Sequence, residues 1–214
     1  MRVYAIVGGI AAGKSTLCRL LSQRGASVVD ADSLGHRVLR QRRVVEELSR
    51  RLGADIVAAD GTVDRRELGR RVFGRPDRLR ELNAIVHPEI GRLVRQRLSA
   101  LERRGVEVAI VDAALFLDVD LRVHVDAVIA VTAPRAVRRK RLAARDSLTA
   151  AECEARLNSQ PRLGVWTRRS DFRIDTRGSV SDVEERLSAL WPQLQRFRGR
   201  RRKEVRDGKS TRNR

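Results

Sequence analysis

Eight residues near the N-terminus, Gly8-Gly9-Ile10-Ala11-Ala12-Gly13-Lys14-Ser15, constrain this chain more than any other stretch. They fit the pattern glycine, four residues, glycine, lysine, then serine or threonine, whose chemistry depends on a strand before it and a helix after it. Val3-Tyr4-Ala5-Ile6-Val7 is a continuous apolar run with β-branched residues and reads as a buried strand. Leu17, Leu20 and Leu21 then fall at helical spacing from about Lys14 to Arg24, with Gly25 as the stop. In that setting Gly8 and Gly13 let the backbone wrap its N–H groups around phosphate oxygens, and the helix N-terminus adds the positive end of its dipole. The backbone of Gly9, Ala11 and Ala12 completes the wrap. Lys14 reaches the β- and γ-phosphates, and the Ser15 hydroxyl ligates Mg²⁺, so the expected cofactors are ATP and Mg²⁺.

The rest of the chain alternates strands with helices. Ser27–Asp30 reads as a second strand, Glu107–Asp112 as a third, Asp126–Val131 as a fourth and Phe172–Ile174 as a short last one. Pro134 can start a helix that carries Arg138, Arg141 and Arg145, and Val180–Leu194 predicts the final helix. From Arg42 to Arg104 the pattern is helical, broken at Gly53, Asp60-Gly61, Arg75-Pro76 and His87-Pro88, which points to a helical insertion. Such alternation predicts an α/β, three-layer phosphate-loop fold around a parallel five-stranded sheet.

At 214 residues, 42% of them apolar, the chain suits one such domain, although 3% aromatic content leaves the core to aliphatic side chains. No apolar run approaches the roughly 20 residues that span a bilayer, and no signal-like segment precedes the glycine loop. A cytoplasmic protein without a membrane partner is the expectation. Cys18 and Cys153 lack metal-type spacing and His36, His87 and His124 are scattered, which argues against a zinc site. The net charge of +19 calls for polyanionic partners, but nucleotides, phosphorylated substrates and nucleic acid all qualify. Residues 196–214 hold ten basic and two acidic side chains with almost no apolar ones, the composition of a disordered tail.

Three sets of charged residues have chemical readings. Asp112 ends an apolar strand, where a nucleotide site places its Mg²⁺-holding carboxylate and where an ordinary strand-terminal aspartate would look the same. Asp30 and Asp32 follow the second strand and emerge at the same carboxyl edge as the loop, so one of them can accept the proton of an attacking hydroxyl, while Asp32 can equally cap a helix. Arg138, Arg141 and Arg145 share a helical face that can stabilise charge on a transferring phosphate, or simply form a solvated face in a chain with 46 basic residues.

Taken in order, these residues resemble the dephospho-coenzyme A kinases from Val3 to about Leu194. The loop through Thr16 is similar to the family's nucleotide loop, and Val29-Asp30-Ala31-Asp32 to its second-strand signature. Asp60-Gly61, Asp64-Arg65, Leu68, Val72-Phe73, Leu82-Asn83, Ile85 and His87-Pro88-Glu89-Ile90 match its helical substrate-binding region. Val111-Asp112 with Leu115, Asp126, Arg141-Leu142 with Arg145, and Arg156 to Gln160 follow. The resemblance implies ATP-dependent phosphorylation of the ribose 3′-hydroxyl of dephospho-CoA, with Lys14, Asp32 and Arg141 catalytic. It implies Mg²⁺ at Ser15 and Asp112, and Thr16, Arg145 and Thr176 in the nucleotide site. The acceptor would meet Asp32, Asp64, Arg65, Asn83, His87, Pro88, Asp112 and Leu115. It divides the chain into a kinase domain, 1–195, with a helical substrate-binding insertion at about 60–104 and a lid at about 138–168, and the tail at 196–214. The chain departs from the family pattern at Trp166, where lysine is usual, and at Thr176, where asparagine is. A kinase of another small molecule, or a nucleic-acid-associated nucleotide-binding protein working through its tail, are the competing readings.

Overall fold

A computed structural model describes residues 1–113, 121–159 and 163–197, without the side chains of Leu163 and Trp166. Five parallel strands, β1 (Arg2–Gly8), β2 (Ser27–Asp30), β3 (Val108–Asp112), β4 (Ala127–Thr132) and β5 (Phe172–Asp175), form one sheet in the order β2-β3-β1-β4-β5. The central strand is buried on both faces, as its unbroken apolar run requires. Val3, Ala5 and Val7 pack against one helical layer through Val94 and Leu98. Tyr4 and Ile6 pack against the other through Leu17, Leu20, Leu21 and Leu187. The register pairs Ile6 and Asp30 with Asp112, and Gly8 with Val131, so the strand ends that carry the loop and the aspartates lie side by side.

Helix α1 (Lys14–Gln23) follows the loop, and α2 (Ala31–Val38), α3 (Arg42–Leu52), α4 (Arg65–Val72) and α5 (Pro76–Arg103) fill the connection from β2 to β3. This connection has its own apolar centre, built from Val38, Val44, Leu48, Leu52, Val72 and Val86. An isolated antiparallel bridge between Val57 and Val63 closes the turn at Asp60-Gly61. The expected break at His87-Pro88 does not occur: α5 continues through Pro88. The carbonyl that loses its N–H partner belongs to Ala84, an exposed residue where water can serve it, while Val86, Val94 and Leu98 bind the helix down on either side. Farther along α5, a Cβ on Gly91 would collide with the Leu121 carbonyl oxygen, so the helix lies directly on that backbone.

Helices α6 (Arg135–Asp146), α7 (Ala150–Asn158) and α8 (Leu163–Arg169) join β4 to β5. Leu142, Cys153 and Leu157 form a small cluster between α6 and α7, against which Ile10 and Ala11 of the loop also pack. The last helix, α9 (Val180–Arg196), starts in a capping box of Ser179 and Asp182 and seals the α1 face. The expected tail lies almost wholly outside the described residues. No described helix is long and apolar enough to cross a membrane.

Candidate active site

The loop between β1 and α1 is held in an alternating conformation. Gly13, the N-cap of α1, has φ 92°, a region that strains any residue with a Cβ, and Ala11 occupies the left-handed region at φ 57° despite its Cβ. Such alternation turns successive N–H groups to one side and makes an anion-binding concavity. The carbonyls point away and find donors in the protein. The Ile10 oxygen accepts from Arg138 Nε at 2.8 Å, the Ala12 oxygen from Thr176 Oγ1 at 2.6 Å, and the Gly9 oxygen from the Ala12 N–H at 3.0 Å. Residues 8–16 thereby line a cavity of about 420 Å³, closed by Asp32, Arg141 and Arg145 and sized for a small-molecule ligand.

Lys14 reaches across the sheet edge to Asp112, with 2.6 Å between Nζ and Oδ1. The other carboxylate oxygen accepts from the Cys18 thiol at 3.6 Å. Burial, then the Asp112 charge, pushes that thiol up to about 12, so Cys18 stays neutral beside the carboxylate. Sequence reasoning gave Cys18 no role. The signal was its position one turn after Lys14, which puts both on the same face of α1.

The two aspartates after β2 separate cleanly. Asp30 is the N-cap of α2, accepting from Ser33 N at 2.9 Å and Ser33 Oγ at 2.5 Å. Burial works to raise its carboxyl, but the bonds from Ser33 outweigh this and hold it below the ordinary value. Asp32, expected as a possible cap, lies instead in the first turn at the cavity rim. Burial raises its carboxyl above the ordinary value against the pull of Lys14, with Asp112 and Asp30 adding like-charge repulsion.

The three arginines of α6 do not act as one face. Arg141 and Arg145 line the cavity. Thr176 holds Arg141, its hydroxyl accepting from Nη1 at 3.0 Å and its carbonyl from Nη2 at 2.5 Å. Asp146 holds Arg145 at 2.7 and 3.0 Å and takes Arg156 of α7 at 2.6 Å. Arg138 is buried behind the loop, outside this cavity. Thr176 is buried too, its hydroxyl shared between the loop and Arg141. It lines a neighbouring cavity of about 310 Å³ with Gly13, Thr16, Arg141, Gly178, Ser179, Val180 and Val183.

A glycine loop with inward N–H groups, an ammonium, and a carboxylate beside two arginines thus share one cavity, and comparison with known proteins names the family. The family profile described as dephospho-CoA kinase matches residues 2–182. The chain belongs to the dephospho-CoA kinase family. A dephospho-CoA kinase from Anaeromyxobacter dehalogenans is 40% identical over 202 residues, 94% of this chain and 96% of the relative. One from Symbiobacterium thermophilum is 36% identical over 192 residues, 89% and 80% of the two chains. A crystal structure from Thermus thermophilus has 34% identity and a TM-score of 0.74, covering 90% of this chain and 97% of its own. A Campylobacter jejuni dephospho-CoA kinase structure, 23% identical with a TM-score of 0.59 and covering 90% and 97%, shares the fold.

Other residues expected from the dephospho-CoA kinase pattern stand away from the cavity wall. Asp64 caps α4, accepting from the N–H groups of Arg66 at 2.8 Å and Glu67 at 3.1 Å, which holds its carboxyl low. Arg65 begins α4, and Asn83, His87 and Pro88 lie along α5. None of them lines the cavity. Leu115 and the Trp166 side chain fall outside the described residues. Among the described residues no three His, Cys, Asp or Glu side chains form a metal cage. Mg²⁺ needs none, since it binds through one or two protein oxygens together with phosphates and water. The exposed Ser15 hydroxyl and, once free of Lys14, the Asp112 carboxylate would be such a donor set.

Proposed function

We propose that this chain transfers the γ-phosphoryl group of ATP to the ribose 3′-hydroxyl of dephospho-CoA, yielding ADP and coenzyme A in the last step of coenzyme A synthesis. The observation that carries this reading is the single cavity in which the loop amides, Lys14, Asp32, Arg141 and Arg145 meet. The amides and Lys14 receive the β- and γ-phosphates, Lys14 exchanging Asp112 for phosphate as they arrive. Ser15 and the released Asp112 would hold Mg²⁺, which supplies neutralisation of the phosphate charge. Asp32 accepts the proton of the incoming hydroxyl, and Arg141 and Arg145 stabilise charge on the transferring group. The adjoining cavity at Thr176 and Gly178 takes the nucleoside, since Gly13, Thr16 and Arg141 line both cavities. Residues 138–168 act as a lid. The helices around 60–104 hold the acceptor, with Asp64, Arg65, Asn83, His87 and Pro88 in that region. The protein works in the cytoplasm, and the basic tail is not needed for turnover.

A coupled ADP-release assay tests this. Magnesium-dependent ADP formation is expected with dephospho-CoA and not with a panel of free nucleosides and other alcohol-bearing metabolites, and deletion of residues 198–214 is expected to leave the rate intact. No turnover with dephospho-CoA, but turnover with a panel member, would transfer the same machinery to another acceptor. Loss of activity together with nucleic-acid binding on tail deletion would favour the nucleic-acid reading.

A further inference from the structure

We propose that Arg138 is a positioning residue for the phosphate loop, acting through the carbonyl of Ile10. The proposal rests on the reading of that loop as the nucleotide site. Its first support is the expense of the arrangement. Arg138 is only 6% exposed, and its Nη2 is buried with no hydrogen-bond partner among the described residues. No carboxylate is within bonding distance of its guanidinium among the described residues. Burial, followed by the neighbouring Arg135 charge, works against its protonated form. A buried cation without a counter-charge is unfavourable, and a methionine would fill the same volume without that penalty. Packing therefore does not account for the residue.

The one side-chain bond it makes among the described residues does. Nε donates to the Ile10 carbonyl at 2.8 Å. That carbonyl and the Ala11 N–H belong to one trans peptide plane and point in opposite directions. Fixing the oxygen behind the loop aims the Ala11 N–H forward, toward the cavity that Ala11 lines. This is also the peptide next to the strained Ala11, at φ 57°, where an unheld plane has most to gain by turning over. A turned plane would present a carbonyl oxygen, not an amide, to the phosphate. Thr176 does the same for the next plane but one, holding the Ala12 oxygen and so aiming the Gly13 N–H.

Two substitutions separate this role from packing. R138M fills the space without a donor. R138Q keeps one, because the Nε2 of glutamine is attached at the same chain position as the Nε of arginine, while the buried charge is removed. For R138M the dissociation constant and KM for ATP are expected to rise about tenfold, the loss of one charge-assisted hydrogen bond. KM for dephospho-CoA stays at the wild-type value, and the melting temperature without ligand stays at or above it. R138Q is expected to bind ATP within about threefold of wild type. Wild-type ATP affinity in R138M, or a weakening that R138Q does not restore, would overturn the proposal. So would a fall in unliganded melting temperature that tracks the affinity loss. If R138M does not accumulate in folded form, R138L, likewise without a donor, takes its place. A wild-type protein that binds no ATP in the same titration would instead overturn the nucleotide reading of the loop, and the proposal with it.

Discussion

Lys14→Ala is expected to lower kcat/KM for ATP by about 10²- to 10³-fold, the scale of losing one preorganised donor to a developing oxyanion. Two physical effects add. The ammonium that would follow the γ-phosphate is gone, and the Asp112 carboxylate that it neutralises at 2.6 Å is left bare at the edge of an anion site. Cys18 offsets little of this, since its thiol is a weak donor at 3.6 Å. The two effects can be parted by a second change. Lys14→Ala combined with Asp112→Asn should recover part of the ATP affinity measured without Mg²⁺, because the repulsion is removed, without recovering kcat, because the moving charge and the carboxylate proposed for Mg²⁺ are both absent. Steady-state kinetics beside direct ATP titration would read both. Full recovery of kcat in the double variant would show that Lys14 serves only to neutralise Asp112.

Asp32→Asn is expected to reduce kcat by about 10²-fold or more, within the range of lost general-base catalysis, while leaving ATP affinity near wild type. The carboxyl must be unprotonated to accept the hydroxyl proton. Because burial raises its pKa, the wild-type rate should fall on acidification at a pH above the ordinary carboxylate range, and the rate is retained above that limb. The asparagine variant should lose the limb together with the rate. The pH profile of kcat/KM for dephospho-CoA, measured for both proteins, checks this. An asparagine enzyme that keeps either the rate or the acid limb would place the base elsewhere.

How much of this could be read from the chain follows from where each feature is determined. The phosphate loop was legible because strand, glycines and helix lie within some twenty consecutive residues, and the same locality made all five strands recognisable. From the local pattern alone the choice between Asp30 and Asp32 was not, and only the family resemblance pointed to Asp32. Both follow β2, and which one caps α2 depends on where the chain leaves the sheet. The passage of α5 through Pro88 depends on packing at Val86 and Val94, which outweighs the local preference to stop. The parts of the site that sequence reasoning placed least well are those closed over long separations. Arg138 meets Ile10 across 128 residues and Thr176 meets Ala12 across 164. Helical spacing put Arg138, Arg141 and Arg145 on one face, but that face is wide enough to straddle the loop, with one arginine behind it and two in front. Lys14 and Asp112, 98 residues apart, were each placed in the candidate site, yet nothing local showed that they hold each other.

The most direct measurement of the central claim is a crystal structure with a non-hydrolysable ATP analogue, Mg²⁺ and dephospho-CoA bound together. The β- and γ-phosphates are expected against the N–H groups of residues 11–15, with Lys14 Nζ moved from Asp112 onto phosphate and the ribose 3′-oxygen within hydrogen-bonding distance of Asp32. An analogue bound away from the loop, or a 3′-oxygen out of reach of Asp32 while Lys14 remains on Asp112, would contradict the account.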